Sequence, residues 1–439
     1  MMKKNKVSVI GLGFVGLTLA IVNAMKDFQT IGIDIDSKKV INANQGKSNF
    51  YEPKLEKYLR KSLNSNKISF SENLKDILKT DITFLTVGTP STKTGEIDLS
   101  QLKNVLKNIK KILSQKKTHH LIVVKSSVVP TTTSKIIVPY LQKLKHVDVV
   151  VNPEFLREGN AINDLLNPHL IVIGKNKVSS NKLEKYYKIF YEKTPEILIT
   201  DLTSAEMIKY SNNAFLATKI SFINSIANIC KHLPNVDVKK ISYAIGKDKR
   251  IGPEFLNAGP GFGGSCLPKD LKALVDFSDK FGNVNNLLKA VLEINNSQSK
   301  EVLMMIDEIG GFRANGIISI LGLSFKKNTD DVRESVSIKI VRELLKKSIK
   351  IKVHDPMALE NFKNIFGDKI IYCSTINDCI KNSTCCLILT EWDEYKKISQ
   401  EEIKKLMKIP NVIDTRRVLE PIKFNKINFQ AIGLGNFLQ

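Results

Sequence analysis

VSVIGLGFVG, residues 7–16, decides the fold of this chain. Four residues with a strand's apolar content run straight into Gly11, Gly13 and Gly16, a G-x-G-x-x-G turn that opens the apolar helix GLTLAIVNAMK. A second apolar segment, TIGID, ends in Asp34, about 20 residues further on, as the dinucleotide fingerprint requires. Each part has a physical task. The glycines permit a tight turn and close backbone approach, the helix N-terminus attracts a pyrophosphate, and the carboxylate accepts from ribose hydroxyls. A carboxylate at Asp34 also repels a 2′-phosphate, so the pattern predicts NAD and not NADP.

Outward from this stretch the same alternation continues. DITFLTVGTP (81–90), a helical pattern over 99–114, LIVVKSS (121–127), VDVVVNPEFLREG (147–159), LIVIGK and EILITD follow. Short apolar runs separated by helices predict strands buried on both faces of a mostly parallel sheet. Ligands gather at the carboxyl ends of such strands. Thr89, Pro90, Ser126, Ser127, Glu154 and Glu158 all fall there, although each alone would serve as an ordinary turn or cap residue.

From 203 to 232 the pattern becomes a long helix without glycine or proline, on which Lys209 and Asn213 share a face. Met207, Phe215, Phe222 and Ile226 read as its core side, and Lys209 by itself reads first as one more solvated lysine. A second long helix is expected from about 286 to 309. Beyond GGFRANG the βα alternation resumes in miniature, with SILGLS answering VIGLGF, KVHD answering IGID and CCLILT answering ITFLTVGT. The expected fold class is therefore α/β: two doubly wound Rossmann-like domains (1–200 and 311–439) joined by a helical middle domain (201–310) with a long connecting helix. The C-terminal copy lacks G-x-G-x-x-G. Lys326, Arg333 and Arg416 could serve it as phosphate partners, or simply form an exposed basic loop.

Within the middle region, FLNAGPGFGGSCLPKD (255–270) has too many glycines for a helix or central strand. Cys266 follows this loop just ahead of Pro268, a suitable first-turn residue for the helix LPKDLKALVDF, whose positive end would favour a thiolate. A surface turn leading to a buried free cysteine is the competing description.

Composition narrows the function class. The chain has 439 residues, 42% hydrophobic content and a formal net charge of +23. With a mean hydropathy of -0.10 it reads as a soluble protein of two to three domains. The lysines are scattered along amphipathic segments, not gathered into an arm interleaved with aromatics, so neither nucleic acid nor a membrane is expected as partner. No apolar run has the length of a membrane span, and the basic N-terminus lacks a small-residue cleavage site. Six cysteines without a C-x-x-C pair argue against disulfides or a structural metal and for a reduced, cytoplasmic setting.

GLGFVGL, VGTP, KSSVVP, NPEFLREG, AEMIKYSNNAFLATKISFIN, RIGPEFLNAGPGFGGSCLPKD, GLSFKKNTDDVRES and DTRRVL together resemble the UDP-glucose/GDP-mannose dehydrogenase family, over essentially the whole chain. The resemblance implies NAD-dependent four-electron oxidation of a nucleotide sugar's primary alcohol to a carboxylate, through a thiohemiacetal and a thioester on Cys266. It implies that Lys209 and Asn213 stabilise the oxyanion, that Asp270 moves protons with Lys209, and that Glu154, Glu158 and Ser127 position the hydrolytic water. For the cofactor it assigns Gly11, Gly13, Phe14, Val15, Gly16, Asp34, Lys39, Thr89, Ser127, Glu158 and Arg333. For the sugar nucleotide, bound mainly by the 311–439 domain, it assigns Glu154, Phe155, Leu156, Arg157, Glu158, Lys209, Asn213, Asn257, Gly259, Gly261, Phe262, Gly263, Phe325, Lys326 and Arg416. Arg250 is expected to reach the substrate of a neighbouring subunit, making the protein a homodimer or higher homo-oligomer.

Three departures accompany the resemblance. Ser127 stands where the family usually has threonine, Ser225 where a glutamate is common, and Val336 where a proline follows ES; the last two should affect helix packing only. The forms GGSCLPKD and RIGPEF favour UDP-glucose over UDP-N-acetylhexosamine or GDP-mannose. A two-electron hydroxyacid dehydrogenase would need neither Cys266 nor a second doubly wound domain.

Overall fold

The computed structural model describes residues 5–92, 95–176, 179–282, 285–313 and 315–435. The chain divides into two compact units, Met1–Asn212 and Asn213–Gln439.

The first unit is built on an eight-stranded sheet: β1 (Val7–Ile10), β2 (Thr30–Ile33), β3 (Ile68–Ser71), β4 (Ile82–Leu85), β5 (His120–Val124), β6 (Val147–Val151), β7 (Ile171–Gly174) and β8 (Ile197–Thr200). The strand order is β3-β2-β1-β4-β5-β6-β7-β8, whose first six strands follow the dinucleotide-binding doubly wound arrangement. All neighbours are parallel except β6 and β7, which meet antiparallel at Val151 and Gly174. Alternation along β5 shows why the apolar run is continuous: Leu121 and Val123 enter one core, Ile122 and Val124 the other. Strand β3 has no such run, and its pattern of Ile68 and Phe70 alternating with serines marks an edge strand buried on one side.

The second unit carries β9 (Ile317–Leu321), β10 (Lys350–His354), β11 (Ile371–Tyr372), β12 (Cys385–Ile388), β13 (Asn411–Asp414) and β14 (Asn428–Ala431), all parallel. Their order, β11-β10-β9-β12-β13-β14, repeats the first six strands of the other sheet. The internal echo extends to atoms. Gly11 has φ +96 and Gly322 has φ +98, and a Cβ on either would run into a threonine one or two residues past the corresponding strand of its own sheet, Thr86 after β4 or Thr390 after β12. Leu12 N–H donates to Asp34 at 2.6 Å, and Leu323 N–H donates to Asp355 at 2.7 Å. The copies then diverge. Asp355 Oδ2 also accepts from Ser324 N–H and from the indole of Trp392, each at 3.1 Å, so this acid is tied up within the fold.

A 29-residue helix, Leu202–Cys230, spans the boundary between the units, and the expected second long helix runs Asn286–Glu308. One expectation fails on the first helix. Met207, Phe215 and Phe222 are 40%, 65% and 50% exposed, while Ile223, Ala227 and Cys230 point inward; of the four residues read as core, only Ile226 packs there. Helical periodicity groups residues onto a face but does not say which face the chain itself covers.

All six cysteines are free thiols. Among the described residues, no helix is long and apolar enough to cross a membrane, and no group of His, Cys, Asp and Glu side chains could hold a metal ion.

Candidate active site

In the first unit the glycine turn has the shape a dinucleotide needs. Gly13 caps the helix Phe14–Met25, whose first residues are Phe14 and Val15. A Cβ on Gly16 would collide with the carbonyl of Gly11, whereas a Cβ on Gly13 would meet nothing within 4 Å. The turn is thus packed closed on the protein side and open on the ligand side. Thr86 Oγ1 donates to the carbonyls of Ile10 and Gly11, at 2.9 and 2.8 Å, and locks it. Asp34 stands directly beside it: Oδ2 accepts from Leu12 N–H, Oδ1 from Asp36 N–H at 2.9 Å, and Lys39 Nζ lies 3.5 Å from Oδ2. These residues fit NAD.

At the carboxyl edge of the same sheet, Thr89 Oγ1 donates to the carbonyl of Ser127 at 2.7 Å, joining the loops after β4 and β5. Past β6, the buried Glu154 carboxylate receives Lys209 Nζ at 2.8 Å on Oε1 and Leu156 N–H at 2.6 Å on Oε2. Burial alone would raise this carboxyl; Lys209, Leu156 N–H and Lys125 together hold it below the ordinary value. Lys209 Nζ also lies 5.5 Å from the centre of the Phe155 ring. Arg157 pairs with Asp164 at 2.7 Å, and Glu158 is half-buried. The buried Glu52 anchors the far end of this loop by accepting from Gly159 N–H at 2.6 Å and Ala161 N–H at 2.8 Å.

Glu206, one turn before Lys209, accepts from Thr133 N–H at 2.8 Å, and its other oxygen has no partner among the described residues. Burial pushes its carboxyl up from 4.5 to about 7 against the Thr133 hydrogen bonds. The folded state therefore holds this proton more tightly than the unfolded chain. The resulting stability is complete below pH 4.5, declines above it and is gone once the pH has passed about 7. Replacing Glu206 with glutamine should remove that decline, which amounts to at most about 3 kcal/mol. Urea midpoints of parent and variant between pH 5 and pH 8 check this, and identical pH dependence would contradict it.

In the second unit Cys266 is the N-cap of the helix Leu267–Asp279, with Pro268 in the first turn and Asp270 one turn in. Asp270 is fully buried. Its Oδ2 accepts from Asn213 Nδ2 at 2.6 Å and its Oδ1 from Lys269 Nζ at 2.5 Å. The glycine loop ahead of Cys266 is held by two buried amides. Asn224 Oδ1 accepts from Gly259 N–H at 2.8 Å, and Asn295 grips both backbone groups of Phe262, at 2.7 and 3.0 Å.

The glycines are required where other chain segments press on them. A Cβ on Gly259 would lie 3.2 Å from Arg416 Nη1, and one on Gly264, at φ +82, would lie 2.8 Å from the Phe325 ring. Gly261 and Gly263 are likewise crowded, by Asn295 and by the carbonyl of Glu334. Arg416 itself donates to the carbonyls of Leu389 and Phe325, both at 2.9 Å, and Lys326 Nζ lies 5.6 Å from the Phe325 ring centre. The expected sugar-nucleotide residues 259–263, Phe325, Lys326 and Arg416 are therefore neighbours, and Asn257 is exposed at the start of their loop. Arg250 and Arg333 have exposed side chains, each forked onto the aspartate two residues before it, and the Arg333 carbonyl accepts from Gly264 N–H at 2.9 Å.

Three family models match in sequence order: the NAD binding domain of the UDP-glucose/GDP-mannose dehydrogenase family over 5–193, its central domain over 203–297 and its UDP binding domain over 319–421. The chain belongs to the UDP-glucose/GDP-mannose dehydrogenase family. UDP-glucose 6-dehydrogenase of Rickettsia bellii is 39% identical over 98% of this chain and 99% of its own. UDP-glucose 6-dehydrogenase TuaD of Bacillus subtilis is 37% identical over 98% of this chain and 93% of its own. A UDP-glucose dehydrogenase structure from Pyrobaculum islandicum superposes with a TM-score of 0.90 at 34% identity, covering 98% of both chains.

Several residues that hold the candidate residues of each unit in place were missed by sequence reasoning. Lys125 falls at a strand end just as Ser126 and Ser127 do, and the strand-end rule could have found it. Lys269 adjoins Asp270, and Asn224 lies three helical turns beyond Asn213 on the same helix. Glu52 and Asn295 act across 107 and 33 residues of chain and leave no local signal.

Proposed function

We propose that the protein is an NAD-dependent UDP-glucose 6-dehydrogenase that takes the sugar's primary alcohol to the carboxylate in two oxidations. The observation that carries this reading is the thiol of Cys266 at a helix N-terminus, one turn from a buried Asp270 joined to Asn213 and Lys269. A simple alcohol dehydrogenase has no use for such a thiol. An aldehyde cannot yield a hydride until a nucleophile makes it tetrahedral, and a thiolate does so covalently.

NAD held at the Gly11–Gly16 turn beside Asp34 would accept one hydride per oxidation, so two NAD would be consumed per sugar. In the first, the alcohol proton passes to Asp270 and Lys209 through water. Cys266 then adds to the aldehyde carbon, and the thiohemiacetal oxygen is stabilised by Lys209 and Asn213. Loss of the second hydride leaves a thioester. Water positioned by Glu154, Glu158 and Ser127 attacks it, the carbon–sulfur bond breaks, and the acid and the thiol are released. Asp34 accepts from the adenosine ribose. Arg333 and Lys39 complete the cofactor site, and Arg416, Lys326 and the 259–263 loop hold the sugar nucleotide. The test is an assay of purified protein against a panel of nucleotide sugars, with NADH counted per substrate consumed. UDP-glucose with two NADH is expected, with strong preference over NADP. One NADH per substrate, or equal efficiency with NADP, would overturn the reaction or the Asp34 assignment respectively.

The working form is a homodimer or a higher homo-oligomer in the cytoplasm. Phe215, Phe222 and Ile229 recur every seven residues on the helix Leu202–Cys230 and stay exposed, a seam suited to a second copy. Ser225, one turn from both Phe222 and Ile229, bonds its hydroxyl to the carbonyl of Ser221, 3.0 Å away, and so puts no charge into that seam. Arg250, 89% exposed, is free to leave Asp248 for a neighbour's substrate. Mixing Arg250→Ala chains with Cys266→Ala chains should therefore recover activity in hybrid dimers. No recovery in preparations shown to exchange subunits would count against the shared site.

A further inference from the structure

Glu154 is flanked by two buried lysines, and the reaction as assigned uses only Lys209. The other, Lys125, sits one residue past β5 with its ammonium buried, donating to Asn152 Oδ1 at 2.9 Å and to the Asn152 carbonyl at 3.4 Å. Asn152 is itself fixed on three sides: Tyr187 donates its hydroxyl to Oδ1 at 2.5 Å, Nδ2 donates to the Val172 carbonyl at 2.8 Å, and its own N–H donates to Val124. Only Pro153, with its constrained φ, separates Asn152 from Glu154. Whatever holds Asn152 therefore aims Glu154. A buried ammonium is also costly beside an apolar side chain of the same length, so packing alone does not account for it.

We propose that Lys125 is a positioning residue for the hydrolytic step: it holds the 152–154 turn in place and supplies the positive charge that keeps Glu154 a carboxylate while Lys209 serves the substrate oxyanion. This rests on the proposed role of Glu154 in positioning the attacking water, and takes Glu154 as the group that accepts that water's proton. The charged groups facing Glu154 are Lys209 from the long helix and Lys125 from the end of β5, with Leu156 N–H from its own turn; Lys125 in turn faces Glu154 and Lys209. Burial draws the Lys125 ammonium down to about 8, so it is still largely charged at neutral pH.

The test is the pH profile of kcat for NADH formation from UDP-glucose in the parent, Lys125→Met, Lys125→Arg and Glu154→Gln. With Lys125→Met, Glu154 loses a cation that favours its ionised form, so the acid limb should move up by about one pH unit. kcat near pH 7 should drop roughly tenfold while KM for UDP-glucose changes little, and Lys125→Arg should return the limb toward its parent position. Lys125→Gln, which keeps a donor for Asn152 and drops the charge, gives the same readout where Lys125→Met fails to fold. A uniform loss of kcat with the limb unmoved would leave Lys125 only a structural role and overturn the proposal. An acid limb that survives in Glu154→Gln would instead overturn the assignment of Glu154 itself.

Discussion

Replacing Cys266 with serine should nearly abolish formation of the acid while leaving nucleotide binding intact. Serine keeps the size and a hydroxyl at the start of the helix Leu267–Asp279, but its oxygen is a far poorer nucleophile than a thiolate and a poorer leaving group. Turnover should fall on the order of a thousandfold or more. An oxygen ester, slow to hydrolyse, should accumulate and appear as added mass on the intact protein. Cys266→Ala, with no nucleophile, should show at most the reversible first oxidation and a slow escape through hydrated aldehyde. Near-parent turnover of the alanine variant, with two NADH per UDP-glucose, would show that the thiol is not the nucleophile. The 255–270 loop would then be a binding element alone.

The second large effect is expected at Lys209. Lys209→Met removes a fixed positive charge from the developing oxyanion and should lower kcat by about 10²–10³. It also strips the buried Glu154 of its 2.8 Å partner, leaving Lys125 as the remaining cation facing that carboxylate. Removing one member of a buried pair is destabilising because the other charge stays behind, by about 3–5 kcal/mol where nothing compensates. Adding Glu154→Gln to Lys209→Met should therefore restore much of the stability and none of the activity. Thermal melts and steady-state rates on the two variants separate these contributions. Recovery of activity in the double variant would mean that Lys209 acts only by neutralising Glu154.

Physical pattern made much of this protein legible from residues alone. The glycine turn at 11–16 and Asp34 form a local device, complete within one βαβ unit, so spacing suffices to identify it. The repeat of the doubly wound order was visible because SILGLS, KVHD and CCLILT keep the same strand content as their N-terminal counterparts, and the structure places Asp355 where Asp34 stands. Strands β3 and β14 were not legible, since ISFS and NFQA, respectively, offer half-buried edges and no apolar run.

By itself, then, the sequence determined those features that depend on neighbours along the chain: two doubly wound sheets, a thiol at a helix start, and Lys209 and Asn213 one turn apart. Tertiary structure alone decided which side of the long helix is covered, turning Phe215 and Phe222 outward, and which polar groups are buried together. Lys125 with Asn152, Glu52 with Gly159, and Asn295 with Phe262 meet across 27, 107 and 33 residues. Periodicity carries no information about such pairs, because a buried lysine or asparagine is tolerated only where the completed fold brings it a hydrogen-bond partner.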